Sequence, residues 1–468
     1  MPIRTNCSSL ICLFRLVEYP VYRFHEAYLA AIDPPHIPTI VSQNADAPLT
    51  LAREYRRIMA IAPSEEIMRT TWTFHSAGQL LFGRHAARQL GDVAGRLGVR
   101  RVLIVTDPML VEAGLVEAVH VPLSEAGVVV DLFFGGEPEP SSRAADAAIA
   151  HGRAFRPDAV LGLGGGSNMD LAKITAVVLT HGGKPLDYSG DDKIPGPVLP
   201  ILCLPTTAGT GSEVSAAAVL TDTERQIKVG ILSNYLRPRV AVVDPMLTLS
   251  CPPKVTADSG IDALTHAIEA YTAVDNAHFP LPSGERSIYQ GRHPFGDMFA
   301  EKAIALVGKW LRSAVAHGAD LDAREGMALA ATLGGLAFSN VGVAAVHALE
   351  YPVGAATHCS HGAGNGLLLP YVMRYNLPAC RPQLAAIAGL LGIDVKGLTE
   401  GEAAEAAIQA VAQLRQDIGI PTRLRDLGVA ESQLRSFAEK AFGIQRILRV
   451  NPRPPSLDDL EGILRTAY

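Results

Sequence analysis

Short apolar runs alternate with helical stretches in the part of the chain that begins near Thr70. Five runs have the apolar, β-branched character of buried strands, at 101–106, 128–134, 159–163, 200–204 and 240–243. Helical stretches lie between them, including 86–97, 142–155 and 169–179. Strands that alternate with helices predict a parallel sheet with helices on both faces.

The strand pattern stops after Pro252 and Pro253. Alanine- and leucine-rich segments follow, and they predict helices at 257–273, 298–317, 323–338, 382–391 and 401–419. The change of pattern places a boundary near residues 249–254. We therefore expect an α/β domain over 68–250 and an all-α domain over 251–468.

Residues 1–67 do not share this pattern and stay unassigned. The apolar core of the segment 6–18 is short, is broken by Arg15 and lacks a small-residue cleavage site, which argues against a secretory signal. Met59 and Met68 are both suitable starts. The segment is therefore interpreted as a disordered extension or an over-extended gene start, with a targeting role as the weaker alternative.

Composition excludes several classes of protein. The net charge is −6, 19% of the residues are charged, and no long basic cluster is present, which argues against nucleic-acid binding. The six cysteines contain no Cys-x-x-Cys, so a cytoplasmic location is the simplest. Apolar stretches are interrupted before they reach about 18 residues, so no membrane span is expected.

A glycine-rich turn follows the strand at 159–163. It consists of Gly164, Gly165, Gly166 and Ser167 and leads into a helix. Glycines there let backbone N–H groups approach a phosphate, and the start of the helix favours negative charge. A tight strand-to-helix turn is the alternative. The spacing matches neither the Rossmann Gly-x-Gly-x-x-Gly nor a Walker loop.

A second polar loop, 205–215, follows the strand at 200–204. Its hydroxyls and glycines include Thr206, Thr207 and Thr210. Such a loop can surround a phosphate, a ribose or a carboxamide, and it can equally be a solvent-exposed loop. Composition alone leaves both interpretations open.

Asp262, His266, His347 and His361 suggest a site for one divalent ion. Asp262 and His266 are four positions apart in a predicted helix, which puts both side chains on one face. Imidazole with carboxylate suits Fe(II), Zn(II) or related ions, and an incomplete shell leaves room for a substrate oxygen. A hydrogen-bonded Asp/His pair in the core is the alternative for the first two residues.

Four motifs in this order make the chain similar to the iron-containing (group III) alcohol dehydrogenases, from about Thr70 to the C-terminus. The motifs are Gly164–Asp170 with Lys173, Pro205–Glu213, Asp258–Tyr271 and His347–Gly362. The resemblance implies a dehydroquinate synthase-like pair of domains, a dinucleotide-binding one and a helical one, in a homo-oligomer, a dimer in that family.

The resemblance also implies roles for individual residues. Asp262, His266, His347 and His361 match the metal ligands, for Fe(2+) or Zn(2+). The positions that match the NAD site are Gly164, Gly165, Gly166, Ser167, Asp170, Thr206, Thr207, Thr210, Lys228 and Asp107. Asp107 matches the acidic residue that faces the adenosine ribose, where a carboxylate would repel a 2′-phosphate and favour NAD over NADP. A capping aspartate before Pro108 is the alternative for Asp107.

Tyr351 departs from the family pattern, in which many members carry a histidine at this position, close to substrate and nicotinamide. A tyrosine can donate a hydrogen bond there, but it is a poorer proton relay near neutral pH. The Tyr-Pro pair and the segment Tyr289–Asp297 are similar to the hydroxyacid-oxoacid transhydrogenase branch.

The resemblance implies a metal-dependent alcohol dehydrogenase that transfers hydride between NAD and a primary alcohol, diol or hydroxyacid. The alternative is a transhydrogenase that keeps NAD bound as a hydride carrier. A cyclisation of the dehydroquinate synthase kind needs basic residues for phosphate, and these motifs show none. A binding-only pseudoenzyme is disfavoured because all four ligand types are present.

Overall fold

The computed structural model of the protein describes residues 69–225, 227–281 and 285–468. The interpretation of residues 1–67 therefore lies outside the described residues. The described residues form one compact unit.

A six-stranded parallel sheet organises the first part of this unit. Its strands, given in spatial order, are β1 (Leu80–Phe82), β9 (Val240–Val243), β6 (Ile201–Pro205), β4 (Ala159–Gly164), β2 (Arg101–Val105) and β3 (Val129–Phe133). The helices between them are α1 (Leu90–Leu97), α2 (Pro108–Glu112), α3 (Glu117–Glu125), α4 (Ser142–Phe155) and α5 (Gly166–His181). The predicted α/β fold is thereby confirmed.

The sheet is buried on both faces, as its apolar strands predict. Leu103 and Val105 of β2 pack into one hydrophobic cluster, while Val102 and Ile104 pack into another on the opposite face. Successive side chains of a strand point to opposite faces, so an uninterrupted apolar strand fits only a sheet covered on both sides.

A smaller sheet was not predicted. It contains β5 (Gly190–Asp191), β8 (Ile227–Leu232) and β7 (Ala217–Asp222), and β7 pairs with β8 antiparallel. The alanines that begin β7 have weak strand propensity, which hides this strand in the sequence. The small sheet matters for the site because β8 carries Lys228.

Every regular element described after Cys251 is helical. The α-helices are α6 (Pro253–Thr272), α7 (Pro294–Ala316), α8 (Leu321–Val341), α9 (Ala345–Thr357), α10 (His361–Asn376), α11 (Arg381–Leu390), α12 (Glu400–Asp417), α13 (Leu434–Phe442), α14 (Gln445–Leu448) and α15 (Leu457–Ala467). Pro253 opens α6 at the first helical position, where its missing N–H costs nothing. A single large hydrophobic cluster joins these helices.

A helix that spans a membrane must be both long and strongly apolar. Among the described residues no single helix meets both requirements, although α8 and α9, which meet at 105°, do so when taken together.

Candidate metal and cofactor site

Parallel strand order brings the two polar loops to one edge of the sheet. β4 pairs with β6 so that Gly164 lies opposite Pro205, and the loop that follows each strand starts at the same level. A Cβ atom added at Gly166 would lie 2.8 Å from Cγ2 of Thr210. The glycine is therefore required for the close approach of the two loops.

Helix α6 carries two of the four proposed metal ligands on a buried face. Nδ1 of His266 lies 3.7 Å from Oδ2 of Asp262. Nε2 of His347, on α9, and Nε2 of His361, the first residue of α10, each lie 3.9 Å from Oδ1 of Asp262. Ligand atoms of Asp262, His266 and His347 all lie within 4.8 Å of one another. Three of the four side chains therefore form one close group, and the fourth, His361, lies beside Asp262 but outside that group.

Two buried glutamates orient the histidines of α9 and α10. Nδ1 of His347 lies 2.5 Å from Oε2 of Glu269, and Nδ1 of His361 lies 2.5 Å from Oε2 of Glu350. Because a carboxylate accepts, each Nδ1 carries the proton, and each Nε2 presents its lone pair to the common centre. Carboxylates that hold histidines in this way make the ring nitrogens better metal ligands.

The start of α9 is fixed by Glu269 as well. Its carboxylate accepts hydrogen bonds from the backbone N–H groups of Ala344 and Val346 at 2.8 and 2.7 Å. A carboxylate at a helix start satisfies free N–H groups and interacts favourably with the helix dipole. Glu269 therefore positions His347 in two ways. It bonds to the His347 ring, and it fixes the backbone of the two residues Ala344 and Val346 that precede it.

Glu269 and Glu350 were not predicted to be functional residues. Glu269 lies seven positions after Asp262 on α6, a spacing that returns to the same helix face. That spacing was a usable signal for Glu269. Glu350 lies three positions after His347, a spacing that also returns to the same helix face, but its contact with His361 depends on how α9 and α10 pack.

The donor set fits a divalent cation. Nδ1 of His266 and Oδ1 of Asn365 are buried without a hydrogen-bond partner in the described part of the chain. Asn365 donates from Nδ2 to Oδ1 of Asp262 at 2.8 Å. A buried polar atom left unpaired costs roughly 1–3 kcal/mol, a cost that an ion bound to His266 would remove. One carboxylate and three imidazoles suit Fe(II) or Zn(II).

Protonation at neutral pH also suits metal binding. Burial lowers the pKa of His266 to about 3, so its imidazole is neutral near pH 7. Burial alone would raise the pKa of Asp262, but the imidazoles of His266, His361 and His347 hold it below its ordinary value. Metal ligands must be deprotonated, and these two side chains already are. Burial would lower the pKa of His361, but the carboxylates of Glu350 and Asp262 raise it above its ordinary value, so an ion bound there would have to displace a proton more often than at His266.

The predicted cofactor residues divide into two groups. Gly166, Ser167, Asp170, Thr210 and Lys228 line the same cavity as the four proposed metal ligands and Tyr351. The other five, Asp107, Gly164, Gly165, Thr206 and Thr207, do not line it. Gly165 caps α5, and a Cβ atom there would lie 3.6 Å from Oγ1 of Thr207, so the two loops also meet at this point.

Asp107 has the capping role that was the alternative interpretation of its position. One carboxylate oxygen accepts from the backbone N–H of Leu110 at 3.1 Å and caps α2. The other accepts from Nδ2 of Asn168 at 2.7 Å. Asn168 also donates to the carbonyl oxygen of Leu163, so Asp107 is fixed against the glycine-rich turn. The negative charge of Asp107 therefore lies at the edge of the sheet where the glycine-rich turn and the second polar loop begin.

Lys173 and Asp170 hold the second polar loop in place through hydrogen bonds. Nζ of the fully buried Lys173 donates to Oγ of Ser212 and to the carbonyl oxygen of Ala217, both at 2.8 Å. Asp170 accepts from Oγ of Ser212 at 2.7 Å and from the backbone N–H of Val219 at 2.9 Å. Asp170 therefore supports the loop as well as lining the cavity.

Tyr351 lies beside the proposed metal ligands, with its ring centroid 6.2 Å from that of His361. Burial raises the pKa of the Tyr351 phenol. The phenol keeps its proton near neutral pH, so it can donate a hydrogen bond in the cavity but does not ionise there.

Two segments of the chain match models of known protein families. Residues 77–245 match the family model described as iron-containing alcohol dehydrogenase, and residues 285–468 match the Fe-containing alcohol dehydrogenase family, C-terminal. The chain is similar to long-chain-alcohol dehydrogenase 1 of Geobacillus thermodenitrificans, with 40% identity over 82% of this chain and 94% of that protein. NAD-dependent methanol dehydrogenase of Bacillus methanolicus shares 36% identity over 83% and 97%.

Solved structures show the same likeness. A crystal structure of 1,3-propanediol oxidoreductase superposes with a TM-score of 0.80 at 37% identity, over 85% of this chain and 100% of that one. An alcohol dehydrogenase from Oenococcus oeni also gives a TM-score of 0.80, at 32% identity, over 85% and 100%.

Proposed function

The chain belongs to the iron-containing alcohol dehydrogenase family, and from this premise we infer that it is a metal-dependent oxidoreductase that transfers hydride between an alcohol and NAD. One observation carries this conclusion. The glycine-rich turn, the second polar loop and the four proposed metal ligands face a single cavity. An alcohol in this cavity has both partners of the reaction within reach.

Each group of residues has a definite task. Gly165, Gly166 and Ser167 offer backbone N–H groups at the start of α5 for the cofactor phosphates. Asp262 and the three histidines would hold Fe(II) or Zn(II). When bound, the ion supplies a Lewis acid that lowers the pKa of an alcohol, and NAD supplies the hydride acceptor. Alignment of these groups in a partly closed cavity is the protein's own contribution.

The cavity favours an uncharged alcohol over a hydroxyacid. Lys228 is the one lysine or arginine among the described residues that line it. Its Nζ lies 2.8 Å from Oε1 of Glu139 and 3.7 Å from Oε1 of Glu350. Near the proposed metal ligands the wall includes the apolar side chains of Phe338 and Val343. A substrate carboxylate would therefore meet no lysine or arginine side chain there that lacks acidic partners, which also disfavours the transhydrogenase.

A matched pair of substrates tests this proposal. After anaerobic purification and metal analysis, NADH formation is measured with 1-butanol and with 4-hydroxybutyrate, which have the same carbon chain. We expect kcat/KM to be at least about tenfold higher for 1-butanol, since about 1.4 kcal/mol of transition-state stabilisation would be lost with the carboxylate. Reduction of 2-oxoglutarate by 4-hydroxybutyrate without added NAD would instead establish the transhydrogenase.

Asp107 supports a preference for NAD over NADP, and Asp107→Ser tests it. Serine retains the ability to cap α2 but removes the negative charge that would repel a 2′-phosphate. We expect the ratio of kcat/KM for NAD to that for NADP to fall by about tenfold, or about 1.4 kcal/mol. Asp107→Glu, which keeps the charge, is the control and should retain the preference. An unchanged ratio in Asp107→Ser would refute this role.

A cytoplasmic location and a homodimeric assembly stay predictions from the sequence.

A further inference from the structure

Glu350 lies between the proposed metal site and the proposed cofactor site. Its side chain is fully buried behind the cavity wall. One carboxylate oxygen, Oε2, is bonded to Nδ1 of His361. The other, Oε1, has no hydrogen-bond partner in the described part of the chain and lies 3.7 Å from Nζ of Lys228. A single carboxylate therefore faces a proposed metal ligand on one side and a cofactor-site ammonium on the other.

The surrounding residues make room for this carboxylate. A Cβ atom at Gly364, on α10, would lie 2.8 Å from Cγ of Glu350. A Cβ atom at Gly354, on α9 itself, would collide with Oε1 of Glu350. Side chains at either position would push the carboxylate away from His361 and Lys228. The two glycines therefore leave the space that the Glu350 carboxylate occupies between His361 and Lys228.

The ammonium group of Lys228 has two close acidic partners, Glu350 and Glu139. Lys228 extends from β8, and its side chain is 9% exposed. Burial would lower the pKa of Lys228, but the carboxylates of Glu350 and Glu139 raise it above its ordinary value, so the ammonium stays charged. Its position is set by two carboxylates, one of which also holds His361.

We propose that Glu350 is a positioning residue that couples metal binding to cofactor binding, through His361 on one side and Lys228 on the other. This inference rests on the proposed function. An ion that fixes His361 also fixes Glu350 and hence the ammonium of Lys228. NADH then meets a pre-positioned cation and loses less conformational freedom on binding. Coupling between two binding sites is reciprocal, so NADH must tighten metal binding by the same factor.

Glu350→Gln tests the coupling with the shape of the side chain preserved. The amide can still accept from Nδ1 of His361, but it loses the charge that strengthens this bond and attracts Lys228. The full-length protein is stripped of metal with a chelator, and its affinities for Zn(II) and for NADH are measured separately and together. Zn(II) is determined by competition with a chromophoric chelator, and NADH by its fluorescence.

In the wild-type protein we expect Zn(II) to tighten NADH binding at least about fivefold. In Glu350→Gln the Zn(II) dissociation constant should rise about tenfold. The coupling factor should fall below about twofold, the scatter expected of independent sites. Unchanged thermal unfolding of the metal-free variant would show that the fold is intact.

Two further variants distinguish coupling through Glu350 from a general effect of removing one negative charge near the site. Glu269→Gln removes an equal charge from another histidine but does not touch Lys228, so it should weaken Zn(II) binding and keep the coupling. Glu139→Gln removes the other partner of Lys228 without touching a histidine, so Zn(II) affinity without NADH should stay within about twofold.

The possible outcomes are distinct. Full coupling in Glu350→Gln, or its loss in Glu269→Gln with Glu350→Gln unaffected, would overturn the inference. Binding of both ligands to the wild-type protein without coupling would also overturn it and leave the proposed function standing. Failure of the wild-type protein to bind either Zn(II) or NADH would overturn the proposed function itself.

Discussion

His266→Ala is expected to abolish tight metal binding and alcohol-dependent reduction of NAD together. His266 is buried on α6, and its ring stacks on those of Phe338 and His347, with centroids 4.1 and 4.7 Å away. Its unpaired Nδ1 faces Asp262. Without this ligand the alcohol would not be activated, so kcat/KM should fall at least about thousandfold, or about 4 kcal/mol of transition-state stabilisation.

The control for this variant is His293→Ala, because His293 is another buried, stacked histidine. His293 accepts a hydrogen bond from the backbone N–H of Gly296 and stacks on Trp72, far in sequence from the proposed ligands. Its loss should lower the melting temperature and leave metal content unchanged. Metal content is measured by elemental analysis and turnover by NADH absorbance. Wild-type turnover in metal-depleted His266→Ala would rule out the metal site.

Much of the fold follows from local pattern. The strands at 101–106 and 159–163 are buried on both faces, so the side chains in their central parts, such as 102–105, are all apolar and each strand is recognisable in isolation. The small sheet was missed because β7 (Ala217–Asp222) begins with alanines and gains its stability from pairing with β8. Strand pairing of this kind is tertiary information.

In the proposed site, too, the residues that share one helix were predictable from the sequence, whereas contacts between elements were not. Asp262 and His266 share a helix, so their spacing alone suggests a common face. Glu350, by contrast, acts on a histidine of the next helix, and its contact depends on the packing of α9 against α10. Lys228 was matched to the cofactor site by resemblance, but its two acidic partners are visible only in three dimensions.

Lys173→Met is expected to destabilise the protein strongly and to weaken NADH binding. The Nζ of Lys173 is fully buried and also lies 3.2 Å from both the carbonyl oxygen and Oγ of Ser215. Burial lowers the pKa of Lys173, and this effect is opposed by the nearby carboxylates of Asp170, which is partly buried, and Glu213, which is fully buried. Methionine fills a similar volume but donates no hydrogen bond. Asp170 and Glu213 would then lack their cation, and two carbonyl oxygens would lose a donor.

Removing one partner of a buried charge cluster typically costs about 3–5 kcal/mol, a large part of a total stability of about 5–15 kcal/mol. We therefore expect a clear fall in the urea midpoint of unfolding. NADH affinity should fall at least about tenfold, or about 1.4 kcal/mol, because Lys173 and Asp170 together hold the loop that carries Thr210 and Ser212.

Lys302→Met, on the exposed face of α7, is the control and should change stability by no more than about 0.5 kcal/mol. Zn(II) affinity of folded Lys173→Met should stay near that of the wild type, because Lys173 contacts none of the proposed ligands. An unchanged urea midpoint would mean that the buried ammonium does not hold the cofactor loop, and unchanged NADH affinity in a destabilised variant would confine its role to folding.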